Sequence, residues 1–165
     1  MKAEITPQHT WLHQLVGEWQ FEGESVGADG QPTMKMSGTE SVRKLGDAWV
    51  QCDGRSQVPD EMGGGLSLMQ FTLGYDPAKG HFVGTFIGSM MTHLWIYHRG
   101  ELDADGRTLA LYAEGPAFDR PAGTMAQYRD SIQIVGPDER LLLSHLQGPD
   151  GQWIPFMTSR YRRTR

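Results

Sequence analysis

The side chains able to do chemistry fall in three short stretches: Glu40 within Met34-x-Met36-x-Gly38-x-Glu40-x-Val42, His93 within His93-x-Trp95-x-Tyr97, and Asp130 within Tyr128-x-Asp130-x-Ile132. In each, the ionisable residue alternates with apolar or aromatic neighbours at period two, which puts them together on one face of a strand. If those faces look inward, two carboxylates, an imidazole and two phenols gather against a low-dielectric wall. Burial there raises a carboxyl's pKa and fits it for proton transfer. The same wall can instead orient a bound molecule through a few hydrogen bonds. The stretch from Thr92 to His98 carries apolar bulk on both faces, Trp95 and Tyr97 against Leu94 and Ile96, so periodicity leaves its interior face open. With Leu94 and Ile96 inward, His93 is solvated.

Other groups point to less. His9 and His13 lie one helical turn apart, a chelating spacing, but no third ligand is near them in sequence and no metal is assigned. The single cysteine, Cys52, excludes an internal disulfide framework and a cysteine metal cluster. Gly63-Gly64-Gly65 has no helix after it to receive a phosphate, there is no trustworthy Ser-His-Asp order, and no cofactor is implied.

These stretches need elements to position them. Thr6-Pro7 is a helix start, and Trp11, Leu12, Leu15 and Val16 recur at helical spacing over 7–16. Gly17 reads as the helix stop, after which Trp19 and Phe21 share one face and Glu18, Gln20, Glu22 and Glu24 the other. Short strands separated by turns then follow to residue 162, with turns at Ala28-Asp29-Gly30, Leu45-Gly46-Asp47, Asp76-Pro77, Asp103-Ala104-Asp105-Gly106, Gly136-Pro137-Asp138 and Pro149-Asp150-Gly151. The segment from Gly54 to Gly65, GRSQVPDEMGGG, reads as a mobile loop and a candidate lid. The fold class expected is all-β: a closed up-and-down antiparallel barrel of about ten strands over 18–162 with a short N-terminal plug helix, in one domain over 1–165.

Composition sets the outer bounds. A formal charge of −5 disfavours nucleic acid, no apolar run is long enough to span a bilayer, and the N-terminus lacks an apolar signal core. A soluble, cytoplasmic protein with no membrane partner is expected.

The Gly17-x-Trp19 entry into the first strand resembles the calycin superfamily, the lipocalins and fatty-acid-binding proteins. That resemblance implies a tryptophan at the barrel floor met by an arginine of the last strand, here Arg160 or Arg162. At a finer level, His9-x-x-Leu12-x-x-Leu15-Val16-Gly17-x-Trp19, Gly74-Tyr75-Asp76-Pro77, Thr92 and the Pro149-Asp150-Gly151 turn resemble, in order and spacing, a bacterial family known as domain of unknown function 1579. It implies a lipocalin-like barrel and no established activity. Phe86-Ile87-Gly88 stands where such proteins commonly carry a Trp-Ile-Asp-like segment, so a role for that acid would be lost. Arg160 and Tyr161 are adjacent and so on opposite faces, whereas fatty-acid-binding proteins hold a carboxylate with Arg-x-Tyr; that specificity does not carry over.

Three functions fit. The leading one is a barrel binding a small apolar or amphipathic molecule near His93, Trp95, Tyr97, Tyr128, Glu40 and Asp130, with nine methionines offering adaptable walls. The second is a cofactor-free enzyme using the interior carboxylates, tyrosines and histidine. The third is a solidly packed barrel that acts as an interaction module or homodimer.

Overall fold

The structure, a computed structural model, describes residues 3–27 and 29–165. Helix α1 (Pro7–His13) precedes ten strands: β1 (Gly17–Val26), β2 (Pro32–Leu45), β3 (Trp49–Gln57), β4 (Leu66–Asp76), β5 (His81–Gly88), β6 (Trp95–Leu102), β7 (Thr108–Pro116), β8 (Met125–Gly136), β9 (Glu139–Gln147) and β10 (Trp153–Arg163). Each strand pairs antiparallel with the next, and β1 pairs with β10 to close the barrel. Closure leaves no strand as the edge of an open sheet. Alternation is clean in β1, where Trp19 and Phe21 are buried, and in β7, where Leu109, Leu111 and Ala113 are; in β8 Tyr128 and Ile132 are buried, with the adjacent Ser131 covered as well.

One barrel end is plugged. Leu12 and Leu15 are each 1% exposed there, a burial worth roughly 1.5 to 3 kcal/mol per side chain. The helix is tied down by two hydrogen bonds to the rim, Trp11 Nε1 to the Gly106 carbonyl at 2.7 Å and His13 Nε2 to the Asp47 carbonyl at 2.9 Å. His9 is buried edge-on against Tyr75 and takes hydrogen bonds from Thr6 at Nδ1. The two histidines are thus used separately, and among the described residues no three His, Cys, Asp or Glu side chains could hold a metal ion.

The helix is shorter than the 7–16 expected. It ends at His13, with Gln14 as a right-handed cap, and residues 14–16 turn through 3₁₀-like hydrogen bonds such as Leu15 N–H to the Leu12 carbonyl. Gly17, with φ of 140°, does not stop the helix but starts β1. A Cβ there would lie 2.4 Å from Arg163 Nη1 and 2.6 Å from the Arg165 carbonyl, so the glycine makes room for the C-terminal segment.

That segment corrects the expected closure. The last-strand guanidinium over Trp19 belongs to Arg163, 4.2 Å from the ring, and not to Arg160 or Arg162. Ser159 and Tyr161 point inward, so Arg160 and Arg162 face outward, where they pair with Glu139 and Glu22. Arg163 also donates to the carbonyls of Gln14, Val16 and Pro137, joining the helix end, the β8–β9 turn and the last strand. A cation is favoured there by the helix dipole.

Other boundaries moved for identifiable reasons. Strand β3 continues through Gly54 to Gln57 because it pairs with β4 along its whole length, Gly54 opposite Met69. The expected loop therefore shrinks to 58–65 and carries a 3₁₀ turn at Asp60–Met62. β6 starts at Trp95 and runs on to Leu102 past a bulge that leaves His98 and Arg99 both exposed. Of the turn expected at Ala28-Asp29-Gly30, Ala28 lies outside the described residues; Asp29 Oδ1 accepts the Gln31 N–H at 3.0 Å. No helix among the described residues is long and apolar enough to cross a membrane.

Candidate functional site

Above the plug, the barrel encloses a cavity of about 700 Å³. This is within the range of small-molecule sites. His93, Trp95, Tyr97, Tyr128, Glu40 and Asp130 all line it. The open face of the sixth strand is thereby settled: Tyr97 is 1% exposed, whereas Leu94 and Ile96 are 49% and 54% exposed. The inward choice is enforced by β7, whose small residues leave space. A Cβ on Gly115 would lie 2.1 Å from the Trp95 ring, so only glycine lets that indole lie against the sheet.

The lining divides into a wall and a floor. Toward the open end, Trp95 meets His93 edge-on at 4.9 Å and Tyr128 at 4.7 Å, with Phe156 and Phe118 continuing the aromatic surface. His93 Nε2 donates to the Glu114 carbonyl at 3.1 Å and Tyr128 Oη to the Pro116 carbonyl at 2.5 Å. Met34, Met36, Met69, Met90, Met91 and Met157 supply flexible thioether surface around these rings.

Two polar clusters occupy the floor. In the first, Asp130 accepts hydrogen bonds from Tyr97 Oη at Oδ2 and Ser144 Oγ at Oδ1, each 2.5 Å. Ser144 is the cross-strand partner of Asp130, while Tyr97 reaches over β7 from two strands away. Burial pushes the Asp130 carboxyl above the ordinary range, against the lowering effect of the Ser144 and Tyr97 hydrogen bonds. Burial and the neighbouring Asp130 push the Tyr97 phenol well up.

The second cluster joins the expected Glu40 to a partner that was not foreseen. Arg140 of β9 is 4% exposed and ion-pairs with Glu40 of β2. On the way its guanidinium passes over Tyr161 at 4.0 Å and Trp19 at 4.8 Å, the rings of the two strands between. Arg140 Nε is buried without a hydrogen-bond partner. Cys52 also faces this cluster, its thiol pushed up by burial and then by Glu40. Sequence reading missed Arg140 and Ser144 because β9 reads Arg140-Leu141-Leu142-Leu143-Ser144, with leucines on both faces and no period to choose between them. The buried carboxylate was itself the missing signal, since Glu40 requires an inward cation.

A second hollow of about 540 Å³ lies on the outside of the sheet, among Arg55, Glu22, Arg160 and Arg162. Its charged side chains face solvent, Arg162 pairing with Glu22 and Arg160 with Glu139, so the interior cavity is the better site.

The sequence of residues 4–163 matches the model of the family described as protein of unknown function DUF1579. The chain belongs to that family. No curated protein matches this DUF1579 sequence. Among solved structures, it is similar to Rv2717c from M. tuberculosis (TM-score 0.62, 13% identity, covering 98% of this chain and 100% of that one). It is also similar to the S-type phycobiliprotein lyase CPES from Guillardia theta (TM-score 0.57, 14% identity, covering 98% and 94%). At these identities the likeness shows a shared lipocalin-like barrel.

Proposed function

We propose that this DUF1579 barrel binds one small, largely apolar molecule in its interior. The observation that carries the reading is the cavity of about 700 Å³, walled by methionines and aromatic rings and furnished with a few convergent polar groups. The same cavity weighs against a solidly packed interior. An apolar environment-sensitive fluorophore is expected to bind with one-to-one stoichiometry. Tyr128→Phe and His93→Ala should weaken it while leaving the melting temperature nearly unchanged. A large loss of stability with unaltered affinity would make both residues core and defeat the reading.

A second reading is favoured by one observation, the burial of Asp130, which raises its carboxyl above the ordinary range against the lowering effect of its two hydroxyl donors and fits it for proton transfer. The two readings part on the fate of a co-purified molecule found by native mass spectrometry. A binding protein returns it unchanged; an enzyme converts it on incubation, and Asp130→Asn stops the conversion.

A further inference from the structure

The polar floor of the cavity is lopsided in its hydrogen-bonding capacity. Tyr97 and Ser144 have each committed their one hydroxyl hydrogen to Asp130, and an ionised carboxylate has none to give. All three groups therefore offer the cavity lone pairs only. Charge is lopsided in the same direction. Of the charged groups on the lining, Arg140 is already matched by Glu40, which leaves Asp130 facing two neutral hydroxyls; the basic group that acts on it from outside the lining is His145, whose imidazole burial and the neighbouring Arg129 hold below its ordinary pKa. β7, which lies between Tyr97 and Asp130, contributes Leu111 and Ala113 and no charge to the interior. The rings nearby, with Phe71 stacked on Tyr97 at 5.1 Å and Trp95 against Tyr128, add π faces that attract cations.

Resting on the binding reading above, we propose that the cavity selects amphipathic molecules whose polar end donates N–H hydrogen bonds, a protonated amine on an apolar body being the best match, and that it rejects carboxylates. An ammonium placed beside Asp130 gains a charge-assisted hydrogen bond and restores electrical balance to the floor. A carboxylate in the same place meets two acids and an arginine whose charge is already taken. Alcohols fall between, donating one hydrogen without charge.

The test uses three probes that share a tail and differ in head: dodecylamine, dodecanol and dodecanoate, each displacing the apolar fluorophore from the unaltered protein. The expected order is amine, alcohol, carboxylate, with at least about tenfold between first and last. Because the chain is net negative, amines also gather on its surface, and Asp130→Asn separates that effect. The substitution should bring amine and carboxylate within about threefold of each other, with the alcohol little changed. Equal or tighter binding of dodecanoate by the unaltered protein overturns the proposal even if no variant folds, and so does an amine preference that survives Asp130→Asn. If the fluorophore and all three probes fail to bind, the binding reading falls with it. If they bind without regard to head, only the selectivity falls.

Discussion

The two ends of the barrel are made from the same meander and are finished in opposite ways. At the plugged end, Leu12, Leu15 and Trp19 are fully buried, Trp19 Nε1 donates to the Leu15 carbonyl, and Arg163 links three backbone carbonyls beneath it. At the other end, the loops at 58–65, 89–94 and 117–124 present Met62, Met90, Met91 and Phe118 to solvent, Phe118 being 63% exposed. The difference teaches that the groups holding the sheet closed and the groups opening onto the cavity are spatially separated here. One end holds the sheet closed, which frees the other to keep an apolar rim that contributes little to folding.

Removing the plug should give the largest effect. A chain lacking residues 1–16 loses Leu12 and Leu15 from the core, at roughly 1.5 to 3 kcal/mol each, together with much of Trp11 and Val16. It is expected to be unfolded or to melt far below the full chain in thermal denaturation. An unchanged melting temperature would erase the contrast between the ends. Next comes the floor between them. Glu40→Gln leaves Arg140 buried without its counter-charge and should cost about 3 to 5 kcal/mol, measured by denaturant unfolding. Replacing both residues by apolar ones of similar volume should recover most of that loss.

The pH response sharpens the picture at Asp130. Its carboxyl is raised in the folded protein by burial, so the folded state holds that proton more tightly than the unfolded one. The stabilisation is fully present below the unfolded carboxylate pKa and is lost as pH rises through the folded value. Stability of the parent relative to Asp130→Asn should therefore fall above about pH 4, by at most about 1.4 kcal/mol per pH unit. Paired melts across pH 3 to about pH 7 read this, and a flat difference would mean Asp130 titrates as if in water. The smallest effect on stability belongs to the open rim. Met62→Gln and Met91→Gln should change unfolding free energy by no more than about 0.5 kcal/mol while weakening the fluorophore measurably in titration. Destabilisation matching that of the plug deletion would show the rim to be structural.

Much of the barrel was legible because period-two alternation and turn residues are local signals. Trp19, Phe21, Glu40, Tyr128 and Asp130 were placed on their faces by their own neighbours. What stayed open or was missed depended on distant partners. The face of Trp95 and Tyr97 is decided by Gly115 and Ala113 in another strand, and Arg140 finds Glu40 at a separation of 100 residues. Arg163 was overlooked for Arg160 and Arg162 because the expected closure took the even-numbered face of the last strand as the inward one, whereas Ser159 and Tyr161 are buried and Arg163 shares their face. β-structure stabilised by tertiary contacts hides such choices from any single stretch of sequence.

Closure of β1 on β10 also has a kinetic side. Arg163 and its acceptor at Val16 are 147 positions apart, so the joining ladder is the most non-local contact in the sheet and pays the largest loop-closure entropy. Until it forms, both terminal strands are open edges able to recruit another chain. Their outward charges differ in sign: Glu22 and Glu24 on β1, Arg160 and Arg162 on β10, with Glu22 opposite Arg160 in the register. Like edges from two nascent molecules repel, and the two edges of one molecule attract. The acidic and basic borders thus favour pairing of β1 with β10 over pairing of two like edges.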